Sequence, residues 1–450
     1  MLERKIENKL VKWKEEQKKS KSKKALIVRG LRQVGKTYII EHFAKANYRS
    51  FINLNFKINK SLKAAFKGDL DVDSILLNLS VASKVKPIPG NTLIFMDEIQ
   101  ECGAARSSLK SFCLDGRYDV IASGSLLGLN GYNRHSSSGP SVGYESFLDM
   151  YGLDFEEFLW ANGVDKEIIE KIKECFKCKK PIPEAIHSYL LRLFKEYLIV
   201  GGMPDVVNAF IEDNSFSSAE STQRSLLSSY KDDFGRYLDR NENERINIAL
   251  KAKLNQIMDS IPSQLAKETK RFTYLSLEGN ARKSTHEEAI RWLIDYGLAL
   301  PCHNLTKLEL PLSAYKDPDN FKLYISDTGL LMSMMEKGSA RDVLNDNLGI
   351  YKGALYEELV ASAFSKLGRP LYYYRKPSGL EIDFIMRYND EVTLVEVKSK
   401  GGKTKSASTI LNDKTHYNVS SLIKLTSQNI GMENGVLTMP YYVAFLLGND

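Results

Sequence analysis

Apolar residues recur along this chain in two rhythms, one helical and one extended. Leu2, Ile6, Leu10 and Trp13 return at helical spacing, so the chain is expected to open with an amphipathic helix. The lysine-rich stretch 18–24 then reads as an exposed connection. From residue 25 to about 128, short apolar runs at 25–28, 51–54, 92–96 and 120–122 alternate with helical patterns. Strands separated by helices imply a parallel sheet with right-handed crossovers, an α/β core. Residues 130–139 are small and polar, the composition of a surface loop. A strand-like stretch at 142–150 precedes helical patterns at 156–158, 166–180 and 190–198, the last stopped by Gly201, Gly202 and Pro204.

Residues from about 225 to 335 form another unit. Helical patterns cover 249–258 and the segment after Pro262, and Ser284 with Glu287 has capping-box spacing for a helix closed by Gly297. Strand-like pieces follow at 298–301, 308–312 and 322–325. Three short helices and a β-ribbon make the outline of a winged helix. Two readings stand side by side: duplex binding through the helix starting near Thr285, or a module that packs on its neighbours.

The first strand-to-helix junction carries Gly30, Leu31, Arg32, Gln33, Val34, Gly35, Lys36 and Thr37, which fits G-x-x-x-x-G-K-[ST] without a gap. Backbone N–H groups from Gly30 to Gly35, including those of Arg32, Gln33 and Val34, would surround a phosphate. Lys36 would meet its outer oxygens, and the Thr37 hydroxyl would hold magnesium. The pattern predicts binding of a nucleoside triphosphate. The run at 92–96 leads directly into Asp97 and Glu98. Asp97 is placed to hold magnesium through water, and Glu98 to orient or deprotonate the attacking water. Ser123 and Ser125 end the next strand as candidates to reach the γ-phosphate, and Arg134 is a candidate to supply transition-state charge.

The last hundred residues carry a second constellation. Residues 380–386 alternate acidic and apolar, 388–391 turn, and 392–398 run back. A hairpin centred on Asn389 and Asp390 sets Asp383 opposite Glu396 and Glu381 opposite Lys398, all on one face. Opposed carboxylates repel, and a divalent cation between them removes the conflict. Oxygen donors without His or Cys favour Mg²⁺ or Mn²⁺. Lys398 would position or activate a metal-bound water, and Glu357, on a helical pattern upstream, would turn into the same site. The bland alternative is a solvated hairpin face of mixed charge.

Bulk properties narrow this modestly. At 450 residues the chain needs more than one core. Its 43% hydrophobic and 26% charged residues are ordinary for a globular protein, and a net charge of +7 permits a nucleic-acid partner without requiring one. No apolar run has the length of a membrane span, and residues 1–24 carry no signal-peptide pattern. Five scattered cysteines suggest a reducing compartment, so the expected location is cytoplasmic. Cys175 and Cys178 have the spacing of half a zinc site, with only His187 near, and read as free thiols.

The tracts 30–37, 97–100, 154–159 and 197–204, together with Tyr144 and Glu145, resemble a bacterial and archaeal family of AAA-type ATPases that carry a C-terminal domain of unknown function. The resemblance implies a parallel-sheet P-loop ATPase core at 23–140, after an N-terminal helix and linker at 1–22. It further implies a helical lid at 141–224, a winged helix at 225–340, and at 341–450 an α/β domain like restriction endonucleases of the PD-(D/E)XK type. Lys36, Thr37, Asp97 and Glu98 match the nucleotide site; Glu357, Asp383, Glu396 and Lys398 match the nuclease-like motif. Ile382 stands where proline is usual, and an arginine finger has no match. The expected function is ATP binding and hydrolysis, with Mg²⁺, governing a module that binds or cuts duplex DNA with Mg²⁺ or Mn²⁺. The alternative is a nucleotide-dependent switch whose C-terminal domain binds DNA or protein without cutting. A second copy or a protein partner is left open.

Overall fold

A computed structural model describes residues 2–82, 86–129, 141–234, 244–277, 281–349, 351–398, 402 and 404–448. Helix α1 (Ile6–Lys19) buries Ile6, Leu10 and Trp13, as their spacing predicts. Beyond it lie β1 (Ala25–Gly30), α2 (Lys36–Asn47), β2 (Ser50–Asn55), α3 (Val72–Ala82) and β3 (Thr92–Asp97). Then come α4 (Gly103–Asp115), β4 (Asp119–Ser125), the short α5 (Leu126–Leu129) and β5 (Glu145–Asp149). The five strands pair in parallel in the order β2-β3-β4-β1-β5. Leu26 and Val28 face the core with α1 and α2, while Ala25 and Ile27 face α3 and α4. Covering on both faces is why these strands read as continuous apolar runs. It also leaves their C-terminal ends as the place where polar side chains gather.

Helices follow: α6 (Phe155–Ala161), α7 (Lys166–Cys178), α8 (Glu184–Val200), α9 (Pro204–Asp213), α10 (Phe216–Asp233), α11 (Glu244–Leu265) and α12 (Lys283–Tyr296). Two patterns read as separate helices, before and after Pro262, are the single helix α11. Helix α12 starts earlier than the Ser284–Glu287 pairing implied: the Thr285 hydroxyl accepts from Arg282 N (3.1 Å). Gly297 closes it in the left-handed conformation, φ 88°. The glycines after α8 have a steric cause. A Cβ on Gly202 would stand 2.0 Å from Leu153 O, and Gly202 N donates to Asp327 Oδ2 (2.7 Å).

The remaining strands are β6 (Ala299–Leu305), β7 (Lys316–Ile325), β8 (Leu371–Arg375), β9 (Glu381–Tyr388), β10 (Glu391–Val397), β11 (Ser421–Thr426), β12 (Gly431–Glu433) and β13 (Val436–Pro440). Helices α13 (Thr328–Ser333), α14 (Ser339–Leu344), α15 (Tyr351–Lys366) and α16 (Lys405–Asn412) intervene. All eight strands form one mixed sheet, ordered β12-β13-β11-β10-β9-β8-β6-β7. The ribbon read as the wing of its own domain is therefore the edge of the C-terminal sheet, joined through the parallel pair β6–β8. The expected boundary at 340/341 runs through that continuous sheet. The expected strand at 308–312 is absent; Leu310–Pro311 is a cis bond before a 3₁₀ turn, and residues 316–321 extend β7 instead. Among the described residues no helix is long and apolar enough to cross a membrane.

Candidate functional site

Two polar sites emerge. The first sits where β1 turns into α2. A Cβ on Gly30 would lie 2.1 Å from Met150 O, so the loop passes β5 only as glycine, and Gly35 opens α2 at φ 92°. Lys36 Nζ reaches back to Gly30 O (3.0 Å) and Leu31 O (2.9 Å). Burial pulls its ammonium down to about 8, despite Glu98 and Asp97 nearby. Thr37 Oγ1 lies 3.1 Å from Asp97 Oδ2, and Asp97 also accepts from Asn55 Nδ2 (2.8 Å) and from the Ser123 hydroxyl. Burial raises the Asp97 carboxyl, against the hydroxyls of Ser123 and Thr37. Thr37 and Asp97 thus converge as oxygen donors, which fits a hard divalent cation. Ser123 touches Asp97, and Ser125, paired in register with Gly30, is buried.

Glu98 holds φ 53°, a left-handed conformation costly for a residue with a Cβ, and its carboxylate accepts from Gln100 Nε2. Gln33 is likewise left-handed, φ 63°. A cleft of about 570 Å³ is bounded by Gln33, Gly35, Lys36, Thr37 and Glu98 on one side and by Tyr230, Asp233 and Tyr296 on the other. Arg32, within the loop, is ion-paired to Asp233, which also accepts from Tyr296 Oη (2.7 Å); Tyr230 Oη donates to Arg32 O (2.8 Å). The loop is braced from behind as well. Arg4 bonds Val34 O (3.1 Å) and Glu157 (3.2 Å), and Glu157 closes a capping box with Asp154. Sequence reasoning missed Arg4, Gln100, Tyr230, Asp233 and Tyr296. Only Gln100 and the tract holding Glu157 carried a signal, as parts of short motifs. Arg134 lies outside the described residues.

The second site lies on the eight-stranded sheet. The hairpin has the expected register, from Glu391 opposite Tyr388 to Val395 opposite Phe384, and Asn389 and Asp390 both turn at positive φ. One step beyond, Asp383 accepts from Val397 N (2.8 Å), and Lys398 Nζ sits 3.5 Å from Asp383 and in contact with Glu396. Burial and Asp383 push the Glu396 carboxyl to about 8; Asp383, despite burial, is held below the usual carboxylate range by Lys398 and Lys322. Glu381 does not face Lys398 as expected. It pairs with Lys322 (2.9 Å) and Arg375 (3.5 Å), because strand pairing places it beside β8.

Glu357 projects from α15 toward the cluster, yet its oxygens are engaged by Lys270, by Tyr324 Oη (3.3 Å) and by Lys322 (3.6 Å). The adjacent Glu358 turns away to accept from Ile325 N (2.8 Å). Among the described residues no three His, Cys, Asp or Glu side chains gather closely enough to hold a metal. Asp383 and Glu396, expected as metal ligands, are both engaged by Lys398, and in this arrangement Glu357 does not join them. At the zinc-like spacing, Cys175 is buried and Cys178 exposed, while His187 bonds Tyr442 Oη (2.7 Å) and Ser427 O (3.1 Å).

Residues 22–159 match the family model of an AAA domain. Residues 191–341 match a domain of unknown function (DUF8612), and residues 352–442 another (DUF4143). Comparison with the curated proteins returned no match. Similar solved structures include the Aeropyrum pernix ORC2 protein in ADPNP–ADP complexes: 12% identity, 74% of this chain, 88% of that one, TM-score 0.32. The Aeropyrum pernix ORC1 protein in complex with DNA is also similar, at 12% identity, 77% and 93% coverage and TM-score 0.26. Likeness at that level says nothing of activity. Residues 22–159 thus match an AAA domain over under a third of the chain, and the strand, glycine-bounded loop and helix there have the geometry of a P-loop.

Proposed function

We propose that the chain binds ATP with Mg²⁺ in the cleft between the P-loop and α10–α12, hydrolyses it, and uses that cycle to control a DNA-directed C-terminal module. The observation that carries the first part is Lys36, an ammonium poised on Gly30 O and Leu31 O beside Thr37 and Asp97. Its carbonyl partners are replaceable by phosphate oxygens, a stronger charge-assisted partner. Magnesium, held by Thr37 and Asp97, would neutralise charge on the transferred phosphoryl group. Glu98, steadied by Gln100, would orient the attacking water, with Ser123 and Ser125 beside it. A second cavity of about 400 Å³ shares Gln33, Gly35 and Tyr38 with the cleft and is closed by Leu2, Pro204 and Asn208; it would receive the nucleoside. Lys36→Ala should abolish ATP binding in calorimetry, and undiminished turnover in that variant would defeat the assignment.

For the C-terminal module the reading is a PD-(D/E)XK-like site in which Asp383 and Glu396 hold Mg²⁺ or Mn²⁺, with Glu357 nearby and Lys398 against the phosphodiester. Duplex DNA is the partner, with a second copy or another protein as a further one. One observation favours the alternative, a switch that binds without cutting: Glu357 is already neutralised by lysines of its own chain. Incubation with duplex and single-stranded DNA plus Mn²⁺ separates the two. Nicking by the wild type and none by Asp383→Ala supports the enzyme; DNA retention without nicking supports the switch.

A further inference from the structure

We propose that Lys57 is a further catalytic residue of the nucleotide cleft: its ammonium meets the γ-phosphoryl group of ATP and supplies, from within this chain, positive charge to the transition state. The proposal rests on the reading of that cleft as the place where ATP is bound and hydrolysed.

The turn after β2 puts Lys57 in place. Asn55, the last residue of β2, lies in register with Asp97, and its Nδ2 donates to Asp97 Oδ2 (2.8 Å). Through Oδ1 the same side chain accepts from Lys57 N (3.1 Å) and Ile58 N (2.9 Å). One amide therefore ties the turn to the carboxylate that stands 3.1 Å from Thr37 Oγ1. Phe56, between them, is fully buried and packs edge-on against Phe66 with ring centroids 5.5 Å apart, and its N donates to Asp97 O (3.2 Å). The backbone of the turn is thus anchored on the sheet, while the Lys57 side chain is exposed and lines the cleft together with Lys36, Thr37 and Glu98.

Charge sets Lys57 apart from the other cations that line the cleft. Arg32 is ion-paired to Asp233, and Lys36 Nζ is bonded to Gly30 O and Leu31 O. Among the described residues no ion pair or hydrogen bond holds the Lys57 ammonium, although Glu98 and Asp232 line the same cleft. Along the carboxyl edge of the sheet, the order β2-β3-β4-β1 sets Asp97 and Glu98 between this turn and the strand that leads into the P-loop. Lys57 and Lys36 therefore come to the Thr37–Asp97 pair from different strands. In hydrolysis water adds to the γ-phosphorus and passes its proton to Glu98. The bond to the β,γ-bridging oxygen breaks, and ADP leaves with that electron pair. Charge spreads over the γ-oxygens as this happens, and a second ammonium stabilises it by charge alone, the part an arginine plays in other phosphoryl-transfer sites.

The test compares, by calorimetry on the full chain, the affinity for Mg·ADP with that for Mg·ADP plus fluoroaluminate, a mimic of the transferred phosphoryl group. The turn is held through backbone N–H groups, so Lys57→Met should fold and bind Mg·ADP within about twofold of wild type, while the affinity gained from fluoroaluminate drops about tenfold or more. Turnover should fall about tenfold to a hundredfold with little change in KM, the signature of an interaction made in the transition state. Lys57→Arg should keep most of both. Equal gains from fluoroaluminate in wild type and Lys57→Met, or no gain in either, overturn the catalytic role and leave ATP binding standing. An ADP affinity that falls as far as the mimic's also overturns it, since Lys57 would then be a binding group for the inner phosphates. A loss in Lys57→Arg as deep as in Lys57→Met overturns it too, because the charge is retained. Failure of the wild type to bind Mg·ATP, or binding undiminished in Lys36→Ala, defeats the ATP reading itself.

Discussion

At the P-loop the chain rests one ammonium on neutral carbonyls, beside an open cleft; on the C-terminal sheet it lays its ammoniums directly on carboxylates. Lys36 is held loosely in energetic terms, since burial lowers its proton affinity and, among the described residues, its bonds go to carbonyls and not to a carboxylate. Lys322 is the reverse: burial opposes its charge, but Glu357, Glu381 and Asp383 hold it above the ordinary lysine value. The contrast teaches that like residues under like burial serve different ends. A cation on carbonyls is available to an anion that arrives; a cation on carboxylates is part of the fold.

The largest effect that tests this division is on stability. Lys322→Met should leave Glu357 and Glu381 short of a partner inside the sheet and cost about 3–5 kcal/mol, the scale for breaking a buried pair. The check is the lowest transition in a thermal melt, which should fall for Lys322→Met and recover in part when Glu381→Gln is added. Lys36→Met should show no such loss, because its removal strands only carbonyls. Next comes Glu98→Gln. With its left-handed backbone and Gln100 contact retained, it should bind ATP at nearly wild-type affinity while turnover drops about 10²-fold. A comparable fall in affinity would mean Glu98 shapes the cleft and does not act on water.

How far each site was legible follows from how it is assembled. Gly30, Lys36 and Thr37 stand at one strand-to-helix junction, so local spacing exposed them, and the hairpin register around Asn389 followed from turn chemistry. The parallel order of the first sheet was readable as a class, because buried strands are continuous apolar runs. What could not be read depends on contacts across long separations. Lys270, Lys322 and Glu357 come from a loop, an edge strand and a helix, and no spacing rule links them. The ribbon at 299–325 looked like a wing because its alternation gives strand type but not strand partner; only the β6–β8 pairing assigns it to the C-terminal sheet. Asp233 ends α10 and has no motif; its pairing with Arg32 arises from helix packing alone.

A smaller effect concerns that pairing. Asp233 adds a carboxylate to the cleft and pairs with Arg32, which lines it too, so that the charge Arg32 brings to the cleft is neutralised. Asp233→Asn should therefore tighten ATP binding by roughly threefold to tenfold, more at low salt than at high. Weaker binding would show instead that Asp233 presents Arg32 to the nucleotide.

The smallest predicted signal is the most specific to Lys36. In the nucleotide-free cleft burial holds its pKa down at about 8, with Glu98, Asp97 and Arg32 as charged groups around it. The folded value lies below the unfolded one, so the unfolded chain holds more protons between about pH 8 and pH 10.5, and this group favours unfolding below that window. A bound triphosphate restores the charged form, so ATP binding must take up a proton wherever the free cleft lacks it. At pH 9 the uptake should be about 0.9 proton and at pH 7 about 0.1, with affinity falling as pH rises between them. Calorimetry in two buffers of different ionisation enthalpy reads this directly. Equal apparent heats at pH 9 would show that Lys36 keeps its proton in the empty cleft, and that its carbonyl setting is no weaker than the carboxylates around Lys322.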